Sequence, residues 1–131
     1  MTTLTIDSRQ RIELQEITAQ VRAAIRASGV AEGLAVVYTP HTTAAITINE
    51  NADPDVASDL VAALDTLVPL QADYRHAEGN SAAHVKSSLL GASATLIVTG
   101  GAPLLGTWQG IWFCEFDGPR RRQVHIKVIG P

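Results

Sequence analysis

Two segments near the C-terminus limit the possible folds of this 131-residue chain more than any other feature. Residues 121–129 alternate apolar with polar side chains, which is the period of a β-strand, and residues 108–116 form a long segment rich in apolar and aromatic side chains. Asp117-Gly118-Pro119, a combination typical of reverse turns, separates the two segments. We therefore expect hairpins to dominate the C-terminal half of the fold.

Further strand patterns occur along the rest of the chain. Residues 3–7 and 9–14 both alternate, and we expect them to pair through a turn at Asp7-Ser8. Residues 34–38 are apolar throughout, which is typical of a central strand. The predicted strands cover residues 3–7, 9–14, 34–38, 44–49, 94–99, 108–116 and 121–129.

Two segments have the periodicity of helices. Residues 17–28 carry one apolar stripe and should end at Gly29. Asp53 followed by Pro54 is a strong helix-start signal, because aspartate caps the first turn and proline is tolerated at its first position. We expect this second helix to stop before Pro69.

A polar loop and a short helix follow. Residues 70–80 are irregular and polar, and a loop of this length in a small protein tends to be functional. Residues 81–90 form a short predicted helix. The mixture predicts an α+β fold, with one domain over residues 1–131, a mixed or largely antiparallel sheet and two to three helices.

Composition excludes several classes of protein. The chain is 46% hydrophobic and 18% charged, which is typical of a globular domain. Its net charge of −3 and the short basic run Arg120-Arg121-Arg122 do not favour nucleic acid. The lone Cys114 excludes an internal disulfide, and its aromatic neighbours predict a buried, inert thiol. No apolar stretch approaches the roughly 20 residues that span a membrane, so we expect a cytoplasmic protein.

Three of the four histidines occupy positions from which distant side chains can converge. His41 lies at the head of a strand, His76 in the polar loop and His84 early in the short helix, whereas His125 is expected on the surface. Three imidazoles with a nearby glutamate could hold zinc or another divalent metal. Spacing alone does not establish this site, because isolated histidines usually have structural hydrogen bonds and no HExxH motif is present.

Hydroxyl, guanidinium and backbone donors suggest anion recognition as a second possibility. No GxxxxGK[ST] or GxGxxG motif is present, which disfavours an ATPase or an NAD enzyme. Serines and threonines also populate strands and caps for structural reasons. The donor residues are Thr42, Thr43, Ser87, Ser88, Arg120 and the Gly100-Gly101 turn.

The long strand before the C-terminal turn offers a third set of polar groups. Glu115 and Asp117 share one face, where two carboxylates can bind a cation or an arginine. A structural link from Asp117 to Arg120 across the turn is at least as good an interpretation. Trp108 could stack on a heteroaromatic ring or simply pack against the protein.

Four motifs closely resemble the YjbQ-like family, some of whose members are described as secondary thiamine-phosphate synthases. They cover most of the chain in the expected order. The motifs are HTTAAITINE at 41–50, YRHAEGNSAAHVKSSLLG at 74–91, LLGTWQGI at 104–111 and EFDGPRRRQV at 115–124.

The resemblance implies a homotrimer with a metal near the histidines, zinc or magnesium, and condensation of a hydroxymethylpyrimidine diphosphate with a thiazole phosphate. Diphosphate departure requires charge neutralisation by a divalent ion or an arginine. The implied metal ligands are His41, His76 and His84. The implied catalytic residues are Glu50, His84 and Asp117. The implied residues for a small phosphorylated heterocyclic substrate are Thr42, Thr43, Asn80, Ser87, Trp108, Gln109 and Arg120.

Three functional hypotheses follow. The first is the metal-assisted transferase that the resemblance implies. The second is a metal-dependent phosphoester hydrolase with another substrate, because histidines, a glutamate and a bound water could equally cleave a phosphoester. The third is a non-catalytic trimer that binds a metal or a small metabolite.

Overall fold

The strands divide into two antiparallel sheets. The computed structural model describes residues 1–131, and the sheets have the orders β1-β8-β3-β5-β6 and β2-β7-β4. The elements are β1 (Thr2–Asp7), β2 (Glu13–Glu16), α1 (Thr18–Ser28), β3 (Gly33–Tyr38), β4 (Ala44–Glu50), α2 (Pro54–Leu67), α3 (Ser81–Leu90), β5 (Ser93–Thr99), β6 (Ala102–Pro103), β7 (Gln109–Glu115) and β8 (Arg121–Ile129). The predicted α+β fold is confirmed.

The main hydrophobic core lies between the two sheets, with α1 closing one side. Val37 and Ile126 come from the five-stranded sheet, Ile46 and Phe113 from the three-stranded sheet and Ile25 from α1, and all five are buried. A smaller cluster on the opposite face of the three-stranded sheet packs against α2 and α3. The fold is therefore layered, and only the outer face of the five-stranded sheet lacks a covering element.

The helix ends agree with the sequence signals. Gly29 has a φ of 72°, a left-handed conformation that glycine adopts without strain, and its N–H bonds to the carbonyl of Arg26. The Asp53 side chain accepts a hydrogen bond from the N–H of Asp55 at 2.9 Å, with Pro54 at the first helical position. The third helix spans residues 81–90, as predicted.

Strand pairing differs from the expected hairpins. β1 pairs with β8, whereas β2 pairs with β7 in the other sheet. β7 and β8 also belong to different sheets, so the turn after β7 carries the chain across the core. The two expected hairpins are therefore wrong. Side-chain alternation predicts which face of a strand is buried but not which strand lies beside it. Because consecutive strands are divided between the two sheets, each sheet can bury one face in the shared core.

Candidate functional site

Two of the segments that carry the chain between the sheets, the one after β1 and the one after β7, lie side by side. The N–H of Ser8, after β1, donates to the carbonyl of Arg120 at 2.9 Å. The N–H of Gly118, after β7, donates to the carbonyl of Arg11 at 2.9 Å. These two hydrogen bonds join the crossing segments to each other, next to the segment that leads from β3 into β4.

A polar pocket opens at this junction, with a volume of about 330 Å³. Its walls come from the segment before β4, the start of α3 and the crossing after β7. Nearly all of its lining groups can donate or accept hydrogen bonds. The polar pocket is lined by Pro40, His41, Thr42, Thr43, Glu78, Asn80, His84, Asp117, Arg120 and Arg122.

A buried ion pair supports the floor of the polar pocket. Glu115 has no exposed surface, and Arg122 is 4% exposed. Arg122 donates through Nε to Oε1 of Glu115 at 2.9 Å and through NH2 to Oε2 at 2.5 Å. Ser8 donates to the same carboxylate at 2.6 Å, and Arg122 donates to the Thr43 hydroxyl at 2.8 Å. Removing either Glu115 or Arg122 would leave the other as an uncompensated buried charge. The hydrogen bonds of this pair also fix the side chains of Ser8 and Thr43.

The charge state of Glu115 follows from these contacts. Burial by itself would raise the pKa of Glu115, but hydrogen bonds from Arg122, from Ser8 and from the Asp117 N–H outweigh burial and hold that pKa below its usual value. The carboxylate therefore stays ionised at neutral pH and keeps Arg122 paired.

Asp117 connects both sides of the polar pocket. Its Oδ2 accepts a hydrogen bond from Nδ2 of Asn80 at 2.8 Å and another from NH2 of Arg120 at 2.9 Å. Nε of Arg120 also donates to the carbonyl of Asp117 at 2.9 Å. The predicted Asp117–Arg120 link is thus present. The carboxylate of Asp117 therefore links Asn80 to Arg120 across the pocket.

Asn80 provides an acceptor that the protein leaves unused. The residue is 9% exposed, and its Oδ1 is the one buried side-chain polar atom in the chain without a hydrogen-bond partner. Buried polar atoms normally have partners, because leaving one unpaired costs about 1–3 kcal/mol. Oδ1 of Asn80 therefore requires a donor from outside the protein, such as water or a ligand hydroxyl.

His41 has a defined role in hydrogen bonding. Its Nε2 lies 2.9 Å from the backbone N of Gln123 and accepts that N–H, so the proton of the neutral ring is on Nδ1. Partial burial and then the positive charge of Arg122 lower the pKa of His41. The ring is therefore neutral at pH 7, and Nδ1–H is available as a donor.

The three predicted metal ligands do not converge on one point. The rings of His76 and His84 lie edge to face with centroids 5.4 Å apart, and Nε2 of His76 is 3.7 Å from Glu78. His41 uses Nε2 to bind Gln123. No group of three or more His, Cys, Asp or Glu side chains is arranged to hold a metal ion. One chain therefore lacks a complete set of protein ligands, and the divalent ion stays a prediction.

Three other predicted site residues lie at the opposite end of the three-stranded sheet. Glu50 pairs with Gln109 in the β4–β7 register, and Trp108 precedes β7 with 63% of its surface exposed. At about 3.4 Å per residue, the length of β7 separates them from Asp117 by roughly 20 Å. The structure corrects the grouping of Glu50, Trp108 and Gln109 with the histidines, because a strand that carries polar groups at both ends cannot bring those ends together.

Several predicted phosphate donors are already engaged. The Ser87 hydroxyl is buried and donates to the carbonyl of Ala44 at 2.6 Å, and Ser88 donates to the carbonyl of His84 at 2.9 Å. Gly100 N–H donates to the Glu32 carboxylate at 3.2 Å. Ser87 therefore fixes α3 to β4 and has no place in the polar pocket. Thr42, Thr43 and Arg120 do line it.

The residues that the sequence prediction missed are Ser8 and Arg122, together with the structural role of Glu115. A signal for the ion pair was present. Glu115 continues the core-facing positions of Ile111 and Phe113, and Arg122 continues those of Val124 and Ile126. A carboxylate and a guanidinium that each fall on an apolar strand face indicate a buried pair.

Fold and site together define a small two-sheet α+β protein with a hydrophilic pocket where the chain crosses between the sheets. A family model described as UPF0047 protein YjbQ-like matches residues 2–131. This chain belongs to that family.

Relatives and solved structures agree over nearly the whole length. The chain is 56% identical to the UPF0047 protein of Methanocaldococcus jannaschii, covering 95% of this chain and 91% of the relative. It is 53% identical to the UPF0047 protein YugU of Bacillus subtilis, covering 98% of each. A Clostridium acetobutylicum structure described as an uncharacterized conserved protein of the YjbQ/UPF0047 family matches with a TM-score of 0.97 and 50% identity, over 98% of this chain and 100% of that one.

A more distant structure keeps the same fold. A protein of Sulfolobus solfataricus, described as YbjQ-like and of unknown function, matches with a TM-score of 0.96 at 28% identity, covering 99% of this chain and 96% of that one. The fold is therefore retained when most residues differ.

The thiamine-phosphate synthase activity that the resemblance implied is wrong. The family model and the relatives named above are described as UPF0047 proteins, and the Sulfolobus solfataricus structure is described as a protein of unknown function. None of these descriptions mentions a transferase acting on thiamine precursors. The site geometry agrees with this correction, since Trp108 and Gln109, the residues expected to bind the heterocycle, lie far from Arg120.

The helices of this fold are short or polar. None of the three has the length and the apolar composition that a membrane-crossing helix requires.

Proposed function

We propose that this protein binds a small, hydrophilic phosphorylated metabolite of the cytoplasm in the polar pocket. The lining of the pocket carries the proposal, because nine of its ten residues are polar or charged. A ligand here would gain little from burying apolar surface, so charge and hydrogen bonds must hold it. A multiply hydroxylated phosphate ester has the matching chemistry.

Donors and acceptors in the pocket suit the two parts of such a ligand. Arg120 has a half-exposed guanidinium, and the exposed Thr42 and His41 Nδ1–H add neutral donors for phosphate oxygens. The unpaired Oδ1 of Asn80 accepts a hydrogen bond that a phosphate dianion cannot donate but a sugar hydroxyl can. Asn80 should therefore recognise the part of the ligand that carries hydroxyl groups.

Calorimetric titration tests this division of roles. Ribose 5-phosphate and inorganic phosphate serve as probes for the wild type and for Asn80→Ala and Arg120→Ala. Loss of a charge-assisted hydrogen bond costs about 1.5–3 kcal/mol, so Arg120→Ala should weaken both probes by about tenfold or more. Asn80→Ala should weaken only ribose 5-phosphate. Asn49→Ala, an exposed asparagine on β4 outside the pocket, is the matched control. Equal affinities in all four proteins would contradict the proposal.

Phosphoester hydrolysis is a second candidate, supported by His84. Its ring lines the polar pocket, contacts His76 edge to face and makes no hydrogen bond within the chain, so either nitrogen could act on a ligand. A general base must be free to reach the proton it removes. His84→Ala should abolish phosphate release from an aryl phosphate, whereas His125→Ala, with its ring held by Thr3 and Tyr38, should not.

We also propose that a divalent ion, where bound, is held by His76 and His84 with ligand oxygens completing its coordination. Imidazole nitrogens favour zinc over magnesium, which prefers oxygen. Metal analysis of the purified protein, with and without ribose 5-phosphate, checks this. His84→Ala should lose the metal and His125→Ala should retain it, and unchanged metal content in His84→Ala would exclude the role.

Assembly into a homotrimer belongs to the same proposal. The uncovered face of the five-stranded sheet brings Leu34 next to Ile97 and Ile129, and these side chains are 46%, 56% and 56% exposed. Adjacent exposed aliphatic residues are typical of an interface. Light scattering should give a particle mass three times the chain mass of 13.9 kDa. Leu34→Lys should lower the particle mass to that of one chain. A monomeric wild type would contradict this part of the proposal.

A further inference from the structure

A second cavity lies on the other side of α3 from the polar pocket. Its volume is about 250 Å³, and more than half of its lining residues are hydrophobic. It occupies the space between α3, the end of α2 and the segment before β2. This cavity, called here the apolar cavity, is lined by Arg11, Ile12, Asp65, Pro69, Leu70, Ala82, Ala83, Lys86 and Phe116.

Lys86 places a buried positive charge in the wall of the apolar cavity. Its side chain is 3% exposed, and its Nζ contacts Oδ1 of Asp65, whose side chain is 49% exposed. An ammonium group has three N–H donors, and Asp65 is the one acceptor that the protein provides. Lysine is rarely buried to this extent without full pairing. Two N–H donors of Lys86 therefore remain for another acceptor.

Arg11 adds a second cation to the same wall. It is exposed, and its guanidinium makes no ion pair or hydrogen bond within the protein. The charged groups of the apolar cavity are thus Arg11 and Lys86 against the single carboxylate of Asp65. The surplus of one positive charge, beside aliphatic and aromatic side chains, complements a molecule with one negative charge and an apolar body.

We propose that the apolar cavity binds a small monocarboxylic acid whose apolar part is about the size of one aromatic ring. Engineered apolar cavities of about 150 Å³ bind benzene, so about 250 Å³ accommodates a ring together with a carboxylate group. Lys86 and Arg11 bind the carboxylate, while Phe116, Leu70 and Ile12 contact the ring.

A purely structural role for Lys86 predicts a different result. If the Lys86–Asp65 pair only joins α3 to α2, then Lys86→Met changes stability and the cavity has no preference for a charged ligand. The Arg11 guanidinium would then have no binding partner, because it makes no ion pair or hydrogen bond with another side chain.

Titration with phenylacetate and its neutral analogue phenylacetamide, followed by amide chemical shifts, distinguishes these cases. The wild type should bind phenylacetate at millimolar concentration or below, with shifts at Ala82, Ala83 and Phe116, and should bind phenylacetamide about tenfold more weakly. Lys86→Met and Arg11→Ala should each weaken phenylacetate by about tenfold, and Arg9→Ala, an exposed arginine outside the cavity, should not.

Three outcomes would overturn the proposal: no shifts at the cavity residues, equal binding of acid and amide, or unchanged affinity in both variants. Arg11→Ala keeps the test decisive if Lys86→Met does not fold, because Arg11 is exposed. Affinity for ribose 5-phosphate should be the same in Arg11→Ala as in the wild type, so the result for this cavity is independent of the polar pocket.

Discussion

The two ends of the three-stranded sheet carry similar residue types and differ in how firmly they are held. At the end near Asp117, side chains bind one another around the buried Glu115–Arg122 pair. At the end near Glu50, polar side chains are mostly exposed and bind nearby backbone groups or, as Asn51 does with Glu16, an exposed neighbouring side chain. The side chain of Asn49 accepts a hydrogen bond from the N–H of Glu50 at 2.7 Å. The side chain of Gln109 accepts one from the N–H of Gly106 at 2.8 Å.

This difference shows that polar residue types alone do not indicate a site. At the Glu50 end, hydrogen bonds join mostly exposed side chains to nearby groups, and no buried ion pair lies among them. At the Asp117 end, a buried charge orders residues from both sheets, and that order is a requirement for recognising a small ligand. Removal of the buried charge and matched substitutions at the two ends should therefore affect stability unequally.

The largest effect is expected for Glu115→Ala. Arg122 would remain buried without its partner, which destabilises proteins by about 3–5 kcal/mol. Glu50→Ala at the other end should change stability by no more than about 0.5 kcal/mol, as is usual for a partly exposed surface position. Urea unfolding of both variants measures the difference, and equal midpoints would mean that the two ends are held alike.

A smaller difference is expected between alanine substitutions at two glycines. A Cβ at Gly118 would lie 2.1 Å from the carbonyl oxygen of Gln10, part of the backbone that joins the crossing segments, and we expect a cost of about 3 kcal/mol. A Cβ at Gly110 would meet Asn51 at 2.6 Å and Glu16 at 2.9 Å, both exposed, so about 1 kcal/mol is expected. Thermal unfolding checks the order, and a larger loss for Gly110→Ala would reverse the comparison.

The smallest effect is expected for Glu115→Gln, on the dependence of the free energy of unfolding on pH in acid. Burial raises the pKa of Glu115, but the stronger effect of hydrogen bonds from Arg122 and Ser8 keeps it below the model-compound value of 4.5 in the folded chain. The unfolded chain therefore binds more protons in this range, and the free energy of unfolding decreases as the pH falls below about 4.5. Glu115→Gln should flatten this pH dependence, whereas Glu50→Gln should leave it unchanged. An identical slope in Glu115→Gln would show that another group is responsible.

Much of the fold could be predicted because its signals are local. Asp53-Pro54 starts α2, Gly29 ends α1, and the alternation in residues 121–129 matches β8. The partners of the strands could not be predicted, since β1 pairs with β8 from the far end of the chain. Such a pairing depends on how two sheets share one core, and no residue within β1 encodes it.

The candidate site could be predicted in part for the same reason. His41, Asn80, His84 and Arg120 line one pocket as expected, and the Asp117–Arg120 link lies within a single turn. The sequence groups Glu50 with them because Glu50 shares β4 with the segment that follows His41. The direction of a strand separates its two ends in space, and only the antiparallel pairing with β7 shows which residues lie at each end.

The second helix has a consequence for motion. α2 contains no fully buried residue, although its cap and its proline define its start, and it packs on the sheet through half-buried side chains such as Leu64. Its amides should exchange with deuterium far sooner than those of β3, through an opening that leaves both sheets folded. Because Asp65 of α2 lies in the wall of the apolar cavity and contacts Lys86, the same opening would separate the Lys86–Asp65 ion pair.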